Sequence, residues 1–160
     1  MAIKVGDKVP AVTLRYLGAD GVKAVSAEEF FGGKKVAIFG LPGAYTRTCS
    51  SRHLPGYVQH AAALKGKGLD TIACLSVNDA FVMNAWGKEH EAGDNVVMLG
   101  DGSADFTKAI GLTVDRTEAG MGIRSQRYSM VVENGVVTQL NVEPSGEYGV
   151  SSAEAMLEKL

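Results

Sequence analysis

Lys35-Val36-Ala37-Ile38-Phe39-Gly40 is short and almost wholly apolar, and it stops where Pro42 and Gly43 open a loop. A run of that kind suits a strand covered on both faces, which calls for helices above and below a largely parallel sheet. The pattern recurs. Asp70-Thr71-Ile72-Ala73-Cys74-Leu75-Ser76-Val77 and Val96-Val97-Met98-Leu99 read as two more buried strands. Between the first two, Cys49 to Lys67 has a helical pattern with Val58, Ala61, Ala62 and Leu64 as its buried stripe. Pro55 removes an amide donor and should kink that helix or start a second one, and Gly66 and Gly68 end it.

After the second strand, Asn78 or Asp79 supplies an N-cap for a helix to about His90. A short helix over Ala104 to Ile110 follows the third strand, closed by Gly111. Tyr128 to Glu133 and Val136 to Leu140 flank Asn134-Gly135, a pair that tolerates the positive φ angles of a type I′ turn, so they form an antiparallel hairpin. Ser151 and Glu154 are spaced as a capping box for a last helix to Leu160, and another hairpin is expected around Gly18 to Gly21. Alternating strands and helices with a closing hairpin predict an α/β chain: a central mixed sheet flanked by helices, thioredoxin-like, with an N-terminal hairpin addition.

Length and charge narrow the function. At 160 residues, 46% of them apolar, residues 1–160 read as one domain. A chain this long buries roughly 70% of its extended surface on folding, so neither a disulfide nor a structural metal is needed to hold it. The two cysteines are free for chemistry. With 16 basic and 18 acidic side chains and no block of one sign, the chain is not matched to nucleic acid or to anionic membranes. No apolar stretch has the length of a signal peptide or a membrane span. The expectation is a soluble, cytoplasmic protein whose cysteines stay reduced or do redox chemistry, and an import sequence removed earlier is compatible with it.

The chemistry concentrates in Pro42-Gly43-Ala44-Tyr45-Thr46-Arg47-Thr48-Cys49-Ser50, a loop that leaves the C-terminal end of a buried strand and enters a helix. Sites in α/β sheets gather at that end. In the first helical turn, unpaired amides and the helix dipole favour negative charge, and the thiolate of a cysteine is the form that attacks. Arg47 lies two residues before Cys49, and a second arginine brought from another strand would stabilise both the sulfur and a departing oxygen. The Thr46 hydroxyl is placed to cap the helix or to accept a proton from a bound peroxide.

The polar neighbours Arg47, Thr48, Ser50, Ser51 and Arg52 fit a partly exposed, reactive Cys49 better than an inert packed one. Cys74, among apolar strand residues, fits packing. His53, four residues after Cys49, would face the same side of a helix and raises the possibility of a cysteine hydrolase; the disturbance at Pro55 favours a packing role instead. His60 and His90 have no partners at ligand spacing, so no metal site is expected.

At these residues the chain resembles the type II, peroxiredoxin-5-like branch of the peroxiredoxins. Pro42, Thr46 and Cys49 meet the family motif of proline, three residues, threonine or serine, two residues, cysteine. Cys74 to Val82, Arg124 to Val132 and Leu140 to Pro144 also look like this branch, so the resemblance spans nearly the whole chain. It implies a thiol peroxidase in which Cys49 is oxidised by hydrogen peroxide or an alkyl hydroperoxide to a sulfenic acid. Thr46 would hydrogen-bond substrate oxygen, Pro42 would shield the thiolate from water, and Arg127 would activate thiolate and peroxide. Donors aimed at the charge developing on oxygen would lower the barrier. Arg124, an odd number of residues from Arg127 on what reads as one strand, would face the other way.

Two departures stand out. Branch members that resolve their sulfenic acid internally carry a cysteine near the C-terminus, where this chain reads Gly149-Val150-Ser151-Ser152-Ala153. If Cys74 is locked in a central strand it cannot reach Cys49 without local unfolding. Regeneration should then need an outside thiol, glutathione with glutaredoxin ahead of thioredoxin. Arg47 replaces the proline common in the motif, a change of charge and loop stiffness. The resemblance further implies a homodimer joined near the active-site loops, with no metal, haem, flavin or other cofactor. Two rivals share the fold: a thiol-disulfide oxidoreductase, which lacks its Cys-x-x-Cys because Thr46 holds the first position, and a redox-sensing module in which oxidised Cys49 signals to a partner.

Overall fold

Alternation of side chains along each strand explains how one sheet divides the protein into two cores. In a computed structural model describing residues 2–160, with Met1 outside the described residues, β3 (Lys35–Leu41) sends Ala37, Phe39 and Leu41 to one face and Val36 and Ile38 to the other. β4 (Thr71–Ser76) does the same with Ile72 and Cys74 against Ala73 and Leu75. The first face packs on α2 (Leu54–Gly66), α3 (Ala80–Glu89) and α5 (Ala153–Lys159). The second packs on α1 (Ala27–Phe31) and α4 (Asp105–Ala109), through Phe31 and Phe106. With both faces covered, β3 and β4 are apolar almost throughout, as their sequences require.

The sheet has seven strands in the order β2 (Gly21–Ser26), β1 (Thr13–Gly18), β5 (Val97–Gly100), β4, β3, β8 (Tyr128–Glu133), β9 (Val136–Val142). β3, β4 and β5 run parallel at its centre. The hairpin of β8 and β9 closes one edge, antiparallel to β3. Asn134 and Gly135 turn it with φ of 49° and 80°. The predicted N-terminal hairpin, β1 with β2, closes the other edge. This is the expected α/β thioredoxin-like arrangement with its mixed central sheet.

Three local expectations need correction, and two elements were not expected. Ala62 is exposed, and the buried stripe of α2 is Leu54, Tyr57, Ala61 and Leu64. The cap of α5 is Ser152, whose hydroxyl accepts from the Ala155 amide, because Ser151 is engaged by Glu143 instead. The helix α1 was not foreseen. Nor was a small separate ribbon, β6 (Thr113–Arg116) with β7 (Gly122–Ser125), whose strands lack the apolar runs that mark the main sheet. That ribbon overturns the reading of Arg124: β7 ends at Ser125, so Arg124 and Arg127 do not share a strand and the period-two argument fails.

Candidate active site

The site lies where β3 leaves the sheet. Gly40 pairs with Tyr128 across the β3–β8 ladder, so Arg127, one residue before Tyr128, sits beside the exit of β3 and the loop that follows. The pairing demands glycine: a Cβ at position 40 would come within 2.1 Å of the Tyr128 ring. Beyond Leu41 the loop is pinned from the neighbouring strand end, with Asn78 Oδ1 accepting from the Ala44 amide at 3.0 Å and from Ser76 Oγ at 2.6 Å. Tyr45 takes a left-handed φ of 65°, and the Thr46 hydroxyl donates to the Gly43 carbonyl at 2.7 Å. That bond leaves the lone pairs of Thr46 Oγ1 able to accept.

From Arg47 the chain turns helical, with the Ser50 amide donating to the Thr46 carbonyl. Cys49–His53 then forms a π-helical turn closed by the Leu54 amide donating to the Cys49 carbonyl, and α2 continues with Pro55 in its first turn. Proline has no amide hydrogen, so position 55 makes no bond back to the π turn, which runs unbroken into α2. The irregularity expected near Pro55 is a change from π to α helix at Leu54, five residues after the cysteine, with the backbone helical on both sides.

Cys49 is fully buried, contrary to the partly exposed position expected from its polar neighbours. Ser51, Arg52 and Arg47 are exposed, while Cys49 packs into the core with Phe39, Leu54 and Tyr57. Its sulfur is met by Arg127, whose Nη2 donates at 3.1 Å. The second terminal nitrogen, Nη1, lies 2.8 Å from His53 Nδ1. Among the described residues no carboxylate stands within ion-pair distance of this guanidinium, so its charge is not cancelled locally. Arg124 does approach the site: its Nη1 donates to the Pro42 carbonyl at 3.3 Å and its Nε to Met121 at 2.8 Å. Its contact is with the loop backbone, and Arg127 alone of the two donates to Cys49. Half-buried Pro42, Thr48 and Arg127 border a cavity of about 410 Å³ that extends to Arg116, Gln126 and Glu147.

Four residues singled out from the sequence, Pro42, Thr46, Cys49 and Arg127, thus belong to one loop, one helical turn and the adjoining start of β8. His53 has the packing role expected of it and also meets Arg127, a contact the sequence did not suggest. It is fully buried, with Nε2 3.1 Å from the Ser151 carbonyl and the ring against Phe39, Tyr57 and Tyr148. Its partner lies 98 residues away in sequence, beyond any local signal. Burial first, and the Arg127 charge second, push His53 down to about 3, against the hydrogen bond to Ser151, which favours the protonated ring. Cys74 sits fully buried in β4, as expected. His60 pairs with Glu154 at 3.0 Å, and His90 lies edge-on to Trp86. Among the described residues no group of histidine, cysteine and carboxylate side chains could hold a metal ion.

The redoxin family model matches residues 4–157. Peroxiredoxin-2E, chloroplastic, of Arabidopsis thaliana is 47% identical over 99% of this chain and 70% of its own length. Peroxiredoxin-2D of the same plant is 46% identical over 99% of this chain and 98% of its own. A crystal structure of reduced Prx3 from Vibrio vulnificus in complex with hydrogen peroxide superposes with a TM-score of 0.95 at 50% identity, covering 98% of each chain. Sequence, fold and the approach of a guanidinium to a buried thiol agree, and the chain belongs to the redoxin family as a type II peroxiredoxin, a thiol-dependent peroxidase.

Proposed function

We propose that Cys49 is the peroxidatic cysteine and that Arg127, Thr46 and Pro42 complete the reacting centre. The observation that carries this reading is the 3.1 Å contact from Arg127 Nη2 to the Cys49 sulfur. A cation that donates directly to sulfur favours the thiolate, the nucleophilic form. The thiolate attacks the nearer oxygen of the peroxide; an S–O bond forms as the O–O bond breaks, and the electron pair leaves on the distal oxygen. That oxygen takes up a proton and departs as water or an alcohol, leaving Cys49 as a sulfenic acid. Arg127 follows the charge from sulfur towards the departing oxygen, Thr46 Oγ1 accepts from the peroxide hydroxyl, and Pro42 keeps bulk water away.

The same proposal includes regeneration by an outside thiol. The chain has two cysteines, and Cys74 is held in a central strand with β3 on one side and β5 on the other. A small thiol would attack the sulfenic sulfur, expel water and form a mixed disulfide, which a second thiol would release. Glutathione with glutaredoxin is our first choice of reductant, thioredoxin our second, acting on one domain within a cytoplasmic homodimer. Tyr45 on the loop and Phe81 at the start of α3 are 50% and 62% exposed, which supports an interface near the site. Two free thiols suit a reducing compartment.

Stopped-flow mixing of the reduced enzyme with hydrogen peroxide tests the first part. Rapid consumption that Cys49→Ser abolishes is the expected result, and the slow rate of an ordinary thiol would return the chain to a sensor or disulfide-exchange role. Turnover with glutathione and glutaredoxin against thioredoxin and its reductase decides the second part.

A further inference from the structure

The cavity beside the reacting centre is larger than hydrogen peroxide requires. Its volume of about 410 Å³ falls in the range of pockets that take a small organic molecule, whereas one water needs only about 30 Å³. Pro42, Thr48 and Arg127 border it at the reacting centre. The β6–β7 ribbon adds Val114 and Arg116, and the turn after β9 adds Pro144 and Glu147. Both additions are held in place. The Glu147 amide donates to the Pro144 carbonyl at 3.0 Å around Gly146, whose φ of 79° suits the third position of a type II turn. The ribbon is tied to the centre where Gln126 donates from its side chain to the Thr113 carbonyl at 3.1 Å and Arg124 donates to the Pro42 carbonyl.

Four charged side chains border this space, and they are of two kinds. Arg127 is engaged with Cys49 and His53, and Glu143 accepts from the Ser151 amide and hydroxyl and from the Gly149 amide. Half-buried Arg116 and exposed Glu147 differ: among the described residues neither stands within ion-pair distance of an opposite charge, although both border one cavity. A cation and an anion held apart on one pocket complement a molecule that carries both charges, and Pro42, Val114 and Pro144 offer its methylene groups an apolar surface. Hydrogen peroxide and simple alkyl hydroperoxides have no such charges; a thiol built on an amino acid has them.

We propose that this cavity binds the outside thiol that regenerates Cys49, a thiol carrying an α-amino carboxylate, with Arg116 taking the carboxylate and Glu147 the ammonium. The proposal rests on the reading of Cys49 and of its regeneration given above. Arg127 borders the cavity and also donates to the sulfur, which puts the bound thiol one side chain from its target. Because Cys49 is fully buried, the step also requires its turn to open on that side. The thiolate attacks the sulfenic sulfur; the S–S bond forms as the S–O bond breaks, and the hydroxyl leaves as water with the proton that the thiol gave up.

Oxidising the enzyme with one equivalent of hydrogen peroxide, mixing it with a subsaturating thiol and following the mixed disulfide on Cys49 by mass spectrometry reads this step apart from peroxide reduction. Glutathione, whose γ-glutamyl end is an α-amino carboxylate, is compared with N-acetylglutathione, which lacks the ammonium, and with 2-mercaptoethanol, which has neither charge. Rates are corrected for the thiolate fraction. Arg116→Ala should lower the ratio of the glutathione rate to the 2-mercaptoethanol rate by about 10-fold, the worth of one charge-assisted hydrogen bond. Glu147→Gln should lower the preference for glutathione over N-acetylglutathione by about 5-fold, the upper end for an exposed ion pair. Ratios that stay within about twofold in both variants, whatever the absolute rates, would overturn the proposal. The two readings fail differently. If the wild-type enzyme forms the mixed disulfide with 2-mercaptoethanol but shows no preference for glutathione, the role of the cavity falls and the reading of Cys49 stands. If Cys49 forms it with none of the three thiols, the reading of Cys49 falls and the role of the cavity falls with it.

Discussion

The two cysteines are equally buried and differ in almost everything else. Cys49 and Cys74 both have no exposed surface and belong to the same core face. Around Cys74 lie parallel strands, and burial first, then the nearby Cys49, raise its thiol well above the ordinary range, against the lowering effect of Arg127. Around Cys49 lie an arginine donor and the opening turn of a helix. Access to bulk water therefore does not distinguish the two thiols. What distinguishes them is that a guanidinium donates to the sulfur of Cys49, on which the proposed assignment rests.

That contrast can be broken at the cation. Arg127→Lys retains the charge but replaces a planar fork with a single ammonium, which cannot reproduce two fixed bonds to Cys49 and His53. The rate with hydrogen peroxide should fall by about 10² to 10³, the usual cost of one preorganised donor. A loss of only about twofold would mean that charge alone suffices and that the fork is incidental.

The polar half of the contrast also has a pH signature. His53 titrates near pH 3 in the folded protein against 6.5 ordinarily. Above pH 6.5 both states hold the ring neutral and it contributes no dependence. Below pH 6.5 the unfolded chain binds a proton that the native protein refuses, so stability falls as pH drops, until the native ring is protonated near pH 3. The slope is at most about 1.4 kcal/mol per pH unit, or about 2 kcal/mol between pH 7 and pH 5. Glu143 acts lower. Burial raises its carboxyl, but the hydrogen bonds from Ser151, Gly149 and Val150 outweigh that, so its stabilising contribution is lost only as pH falls below 4.5. Urea unfolding at the two pH values checks this, and a dependence that survives intact in His53→Asn would assign it elsewhere.

The smallest effect is expected at the other thiol. Cys74→Ala should leave the peroxide rate within about twofold and cost about 1 kcal/mol of stability. A Cys49–Cys74 disulfide found by mass spectrometry after one equivalent of peroxide would erase the distinction between the two sites.

The sequence made the sheet legible wherever burial on two faces left an apolar run, as in β3 and β4, and wherever a turn needed a special backbone, as at Asn134-Gly135. It was silent on β6 and β7, whose residues Thr-Val-Asp-Arg and Gly-Ile-Arg-Ser belong to a two-stranded ribbon with little to bury. The burial of Cys49 was not legible, because its polar neighbours Arg47, Ser51 and Arg52 turn outward while its own side chain turns in. Ser151 looked like a cap because spacing carries no record of Glu143, whose carboxylate claims it through the fold. The contacts of His53 with Ser151 and Arg127 were hidden for the same reason.

The π-helical turn over Cys49–His53 holds one residue more than an α-helical turn would, between the fixed loop before it and α2 after it. Each residue of an α-helix advances the chain by about 100°. The surplus residue therefore works as an angular offset: it dials the sulfur against the imidazole and the guanidinium together. Tightening this stretch by one position would swing the thiol a quarter-turn or more around the axis, with every side chain of the site still present and none of them aligned.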